Sequence, residues 1–122
     1  MTTKRILIVE DNEKNLKLLR DVLQHAGYRI LEANDAETGI SMAEREPPDF
    51  ILMDIQLPGM NGVEALKLIK SNPELAKIPI AAVTASVMTH DEARMKDEGF
   101  DYFIPKPVEI RKLLDLIRRI LQ

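Results

Sequence analysis

Three short runs in this chain, residues 6–9, 50–53 and 78–83, are almost continuously apolar. They are too short for buried helices and lack the alternation of a strand with one wet face, so they are expected to be strands covered on both sides. Residues 28–31 and 102–104 supply two further strand candidates. Between these runs the spacing turns helical: Leu16, Leu19, Leu23 and Ala26 mark one face, with Gly27 placed to close that helix in a left-handed conformation. Val63, Leu66 and Ile69 mark a second helix, and Ile110, Leu113, Leu114, Ile117 and Leu121 mark the last. Strands buried on both faces and separated by helices imply parallel pairing through crossovers. Five β–α units with right-handed crossovers leave few windings, and the expected fold class is α/β: one three-layer, doubly wound (βα)5 parallel sheet, flavodoxin-like, with strand order 2-1-3-4-5.

A chain of 122 residues that is 45% hydrophobic can bury well over half of its unfolded surface around one core. The pattern runs almost to Gln122 without repeat, linker or low-complexity tract, so one domain over residues 1–122 with no effector domain is expected. The absence of cysteine excludes disulfides and thiolate metal sites. No apolar run approaches the roughly 18–20 residues needed to span a bilayer, and the five residues before the first strand leave no room for a signal peptide. A cytoplasmic location is expected, with no membrane partner. The formal charge of −3 and the scattered basic residues argue against nucleic acid as well.

In an open parallel sheet the ligand crevice lies at the carboxyl ends of the strands, beside the point where the winding reverses. The first strand candidate ends in Glu10-Asp11, the third in Asp54, the fourth in Thr84 and the fifth in Lys106-Pro107. Three carboxylates brought together would raise one another's pKa, and a divalent cation resolves that conflict. Oxygen donors without His or Cys favour Mg2+, which keeps several waters and completes its shell with phosphate oxygens. Lys106 adds a mobile positive charge for a phosphoryl oxygen and Thr84 a neutral donor. A carboxylate can itself attack phosphorus, and Asp54, alone at the end of a central strand, is best placed to become an aspartyl-phosphate.

At these residues the chain resembles the receiver domain of two-component response regulators, the CheY-like family, over its whole length. The resemblance rests on LIVEDN at 7–12, ILMDIQLPGMNG at 51–62, VTAS at 83–86 and FIPKP at 103–107. The VEDNEKN opening looks most like stand-alone receivers of the DivK type and receivers attached to hybrid kinases. The resemblance implies a phosphorelay role with Asp54 as phosphoacceptor. Asp11 would bind Mg2+ directly and Glu10 through metal-bound water, with Asp54 and the Gln56 backbone carbonyl completing the protein ligands. Thr84 and Lys106 would bind the phosphoryl group. The implied donor is a phosphohistidine on a sensor histidine kinase or histidine phosphotransfer protein, docking on the first helix. Output would pass to a downstream protein through the face of the fourth helix, fifth strand and fifth helix. On this reading the chain is no enzyme beyond promoting its own phosphorylation and dephosphorylation.

Thr84 and Phe103 are the expected switch residues, with Tyr102 on the opposite strand face. The switch would shift a population between two arrangements of the loop after strand 4, the helix over residues 89–98 and strand 5. That helix opens on a capping box, Thr89 to Glu92, and carries few large apolar residues besides Met95. Pro105 departs from the family pattern, as does Phe103 in lacking a hydroxyl; the Lys106–Pro107 bond is expected to be cis by resemblance. Gln56 and Ser86 sit where family side chains tune water access to the acyl phosphate. His25 and His90 have no partner at ligand spacing and are expected on the surface. Two other classes fit less well. A flavodoxin-like electron carrier needs a hydroxyl- and Gly-rich phosphate loop where this chain has Glu10-Asp11-Asn12. A haloacid-dehalogenase-type phosphatase needs a second acid where this chain has Gln56. An excised receiver of a hybrid kinase and an unphosphorylated interaction module are the remaining alternatives.

Overall fold

The apolar runs form the middle of the sheet. In the computed structural model, which describes residues 3–57, 59–85 and 96–121, β1 (Arg5–Val9), β3 (Phe50–Asp54) and β4 (Ile80–Thr84) are buried almost throughout. β2 (Arg29–Ala33) and β5 (Tyr102–Pro105) are the more exposed edges. All neighbours are parallel and the order is β2-β1-β3-β4-β5, as the crossover argument required. The helices α1 (Glu13–His25), α2 (Ala36–Arg45), α3 (Gly62–Ser71) and α4 (Ile110–Leu121) follow β1, β2, β3 and β5. Of the helix expected over residues 89–98, residues 96–98 are helical; Ser86, Thr89, His90 and Met95 lie outside the described residues.

Because successive strand residues face opposite sides, each central strand feeds two cores. Leu7, Val9, Ile51, Met53, Ile80 and Ala82 pack with Leu66 and Ile69 of α3 and the small residues of α2. Ile6, Ile8, Phe50, Leu52, Ala81 and Val83 pack with Leu16, Leu19 and Leu23 of α1 and Leu113 and Ile117 of α4. Truncating one such side chain, Leu52→Ala for instance, costs about 2–5 kcal/mol. α1, α2 and α3 each begin on a polar cap whose Oδ1 accepts a backbone N–H three residues on: Asn12 from Asn15, Asp35 from Thr38 and Asn61 from Glu64.

Several boundaries move from their sequence positions. α1 ends at His25, and Ala26 is an exposed C-cap rather than part of the buried face. Gly27 does follow in the left-handed region, φ 101°. β2 starts at Arg29 and runs to Ala33, leaving Tyr28 outside; β4 starts at Ile80. The fully buried residues of α2 are small, Ala36, Gly39 and Ala43, with Ile40 and Met42 packed partly buried beside them. The smallness is steric, since a Cβ on Gly39 would lie 2.7 Å from Val9 Cγ2. Tyr102 and Phe103 fall on opposite faces, Tyr102 edge-on to Phe50 with ring centroids 6.4 Å apart. Pro105 occupies an edge strand, where its missing N–H is tolerated. Among the described residues no helix is long and apolar enough to cross a membrane.

Candidate functional site

Parallel register brings the strand ends level. Val9 pairs with Met53, Asp54 with Val83 and Thr84 with Pro105, so Glu10, Asp54, Thr84 and Lys106 emerge at one edge. Three of these polar residues are deeply buried, Glu10 at 2%, Asp54 at 3% and Thr84 at 1% exposure, whereas Asp11 is exposed. Thr84 is held by its backbone, its carbonyl accepting the Lys106 N–H at 2.8 Å. That bond joins the end of β4 to the loop carrying the lysine. The Lys106–Pro107 peptide is cis, as the resemblance implied.

Lys106 Nζ donates to Asp54 Oδ2 at 3.0 Å and lies 3.3 Å from Glu10 Oε2, so one ammonium faces two buried carboxylates. Each of those carboxylates is also oriented by an N–H two residues ahead. Asn12 donates to Glu10 Oε1 at 3.2 Å and Gln56 to Asp54 Oδ1 at 2.9 Å. Such local turns from an acid to its own backbone are familiar at strand ends. The Asn12 N–H as an orienting group for Glu10 was not read from sequence, although its i to i+2 spacing matches that of Asp54 and Gln56.

The electrostatics follow from this crowding. Burial raises the Glu10 pKa, and the charge of Asp54 raises it further against the opposing pull of Lys106. Burial alone would lower Lys106, but the hydrogen bond and charge of Asp54, joined by Glu10, outweigh it and hold the ammonium above its ordinary range. The site therefore carries more negative charge than Lys106 neutralises. Glu10, Asp11 and Asp54 each offer an oxygen, all within 4.8 Å of one another. An all-oxygen set with excess negative charge fits a hard divalent cation such as Mg2+ and offers nothing to a softer metal.

The structure thus assembles Glu10, Asp11, Asp54, Thr84 and Lys106 at one end of the sheet. Gln56 enters through its backbone, and its side chain is exposed. Phe103 is half-buried against the α2–α3 layer. His25 is exposed at the end of α1.

Known proteins share both the sequence and the architecture. A family model described as the response regulator receiver domain matches residues 6–118. The polar-differentiation response regulator DivK of Brucella ovis is 40% identical over 116 residues, covering 95% of this chain and 94% of its own. Among solved structures, chemotaxis protein CheY4 of Vibrio cholerae superposes with a TM-score of 0.92 at 25% identity, covering 98% of this chain and 100% of its own. The receiver domain of a Pseudomonas aeruginosa sensor histidine kinase, solved with magnesium coordinated in its active-site cleft, gives 0.88 at 30% identity over 97% of both chains.

Proposed function

The chain belongs to the response regulator receiver domain family of two-component signalling modules, and on that premise we propose that it is a phosphorelay switch whose phosphoacceptor is Asp54. The observation that carries this is a buried carboxylate at the end of a central strand, 3.0 Å from a lysine and within 4.8 Å of two further acids. An Asp54 oxygen attacks the phosphorus of a phosphohistidine; the O–P bond forms as the N–P bond breaks, and the imidazole nitrogen leaves with the electron pair. The product is 4-aspartyl phosphate on this chain. The donor is a sensor histidine kinase or histidine phosphotransfer protein docking along α1.

Each site residue has a task in that transfer. Asp11, Asp54 and the Gln56 carbonyl would hold Mg2+ directly, with Glu10 acting through water, and the ion would supply charge neutralisation for the phosphoryl oxygens. Lys106 leaves its place between Asp54 and Glu10 to pair with a phosphoryl oxygen, and the Thr84 hydroxyl donates to another. The Gln56 N–H presents one Asp54 oxygen in a fixed direction, while burial keeps bulk water from the acyl phosphate. With Gln56 where a phosphatase would carry an acid, that position offers no proton to an ester leaving group, so the phosphoryl group is accepted and held rather than turned over. Its only hydrolytic chemistry is loss of its own phosphate. The shift of Thr84 and Lys106 toward the new anion, with Phe103 repacking, passes the signal to a downstream protein through the segment before β5, β5 itself and α4.

The test is intact mass after incubation with acetyl phosphate, with and without Mg2+, for wild type and Asp54→Asn. The expected result is a hydroxylamine-labile gain of one phosphoryl group that requires Mg2+ and is lost in the variant. No gain from acetyl phosphate or from phosphohistidine donors would overturn the proposal.

A further inference from the structure

Gly62, the first residue of α3, has no left-handed backbone to explain it. Its lack of a side chain is explained by what lies against it. A Cβ there would sit 2.7 Å from the Asp54 carbonyl oxygen, 2.9 Å from Ile55 Cα and 3.2 Å from Ile55 Cδ1. The first two are backbone atoms of the peptide that follows the phosphoacceptor, at the end of a strand with neighbours on both sides, and they have no rotamer by which to move away. Gly39 makes the instructive contrast: a Cβ there would also meet an atom at 2.7 Å, but that atom is a side-chain methyl of Val9 and not backbone.

The contact at Gly62 is reinforced from both directions. Its N–H donates to the Ile55 carbonyl at 3.1 Å, and the Ile55 N–H donates to Val83 of β4, also at 3.1 Å. The next residue, Gln56, gives its N–H to Asp54 Oδ1 at 2.9 Å. On the helix side, the Asn61 cap accepts the Glu64 N–H at 3.0 Å and fixes how α3 begins. Peptide 54–55 is therefore gripped between β4 and the start of α3, one residue before the backbone that orients the Asp54 carboxylate.

We propose that Gly62 is a positioning residue for the cation and phosphoacceptor site: its missing side chain lets α3 seat directly on the peptide after Asp54, which aims the Asp54 carboxylate and the Gln56 backbone. This deepens, and rests on, the reading of Glu10, Asp11, Asp54 and Gln56 as a Mg2+ site. A methyl group at position 62 pushes peptide 54–55 by several tenths of an ångström and rotates both groups from their settings. Loss of a residue that orients metal ligands through a second layer of contacts weakens metal binding by about ten- to a hundredfold.

The probe is Mg2+ alone, titrated into the full chain and followed by amide NMR shifts, with Gly62→Ala and Gly39→Ala beside wild type. The expected result is about tenfold or greater weakening for Gly62→Ala and wild-type affinity for Gly39→Ala, both variants giving dispersed, folded spectra. Equal affinity in folded Gly62→Ala overturns the inference while leaving the Mg2+ site intact. Equal weakening in Gly39→Ala also overturns it, by reducing the effect to general stability. Absence of Mg2+ binding in wild type instead removes the site reading itself. Should Gly62→Ala not fold, wild type decides: saturating Mg2+ must shift the Ile55 and Gly62 amides together with Gln56, and unmoved Ile55 and Gly62 signals overturn the coupling.

Discussion

The two ends of the sheet use the same side-chain chemistry to opposite effect. At the amino-terminal end, Asp49 accepts the Arg5 N–H at 2.8 Å and gives its own N–H to the Arg5 carbonyl at 2.8 Å. Asp101 does the same with Ile80, at 2.9 Å in each direction. Each of these acids precedes one strand and pins the start of the strand beside it, β3 to β1 and β5 to β4. Each keeps contact with water; Lys70 adds a partner 3.6 Å from Asp101. At the carboxyl-terminal end, Glu10 and Asp54 are buried together over one lysine, with Asp11 beside them. An acid satisfied by backbone N–H groups holds the fold. Acids gathered beyond what their donors and one cation can satisfy hold a binding capacity in reserve.

The largest effect that would break this contrast is at Asp54. Asp54→Asn is expected to abolish phosphorylation, yet it removes one of two facing buried negative charges and leaves Lys106 its Glu10 partner. Relief of that repulsion is expected to raise stability, and urea unfolding of the variant checks the sign. A loss of stability would place Asp54 among the structural acids.

Metal dependence separates the two ends next. Mg2+ at a hundred times its dissociation constant stabilises a binding-competent chain by about 2.7 kcal/mol. Asp101→Ala is expected to keep that increment, whereas Asp11→Asn loses most of it; thermal unfolding with Mg2+ and with EDTA reads the difference. In the absence of metal the order reverses. Asp101→Ala leaves the buried start of β4 with an unpaired N–H and is expected to cost about 1–3 kcal/mol, while its phosphorylation rate, where folded, stays at the wild-type value.

The smallest effect tests whether position alone makes an acid functional. Asp35 follows β2 at the same end of the sheet but is only half-buried, and the Thr38 N–H at 2.7 Å lowers its pKa. A lowered carboxyl pKa contributes stability that is present above the unfolded value, 3.8, and is lost as pH falls through the folded one. The stability difference between wild type and Asp35→Asn is therefore expected to be constant near neutrality and to change only below about pH 4. A change centred near neutral pH, measured by urea unfolding at stepped pH, would contradict a purely capping role.

Much of this was legible in the chain. Apolar runs over residues 6–9 and 50–53 become the hearts of β1 and β3, because a strand covered on both faces has no position where a polar residue is cheap. β2 was displaced because Glu32 interrupts its apolar pattern and turns outward to Arg20, with Arg20 Nη1 3.0 Å from Glu32 Oε2. α2 left only a weak periodic signal because its fully buried residues, Ala36, Gly39 and Ala43, are small, and closeness to Val9 is invisible in one dimension. The same holds for Gly62, whose reason lies against Asp54 and Ile55. Asp49 and Asp101 read as ordinary loop acids until the neighbouring strand starts are placed beside them.

The sequence by itself determined which residues sit at strand ends and what chemistry they carry, because an apolar run and the polar residue that ends it are adjacent along the chain. Only the tertiary structure decided which of the acids meet. Glu10, Asp54 and Lys106 converge through the parallel register of β1, β3, β4 and β5, and that register is set by packing helices on both faces of the sheet at once.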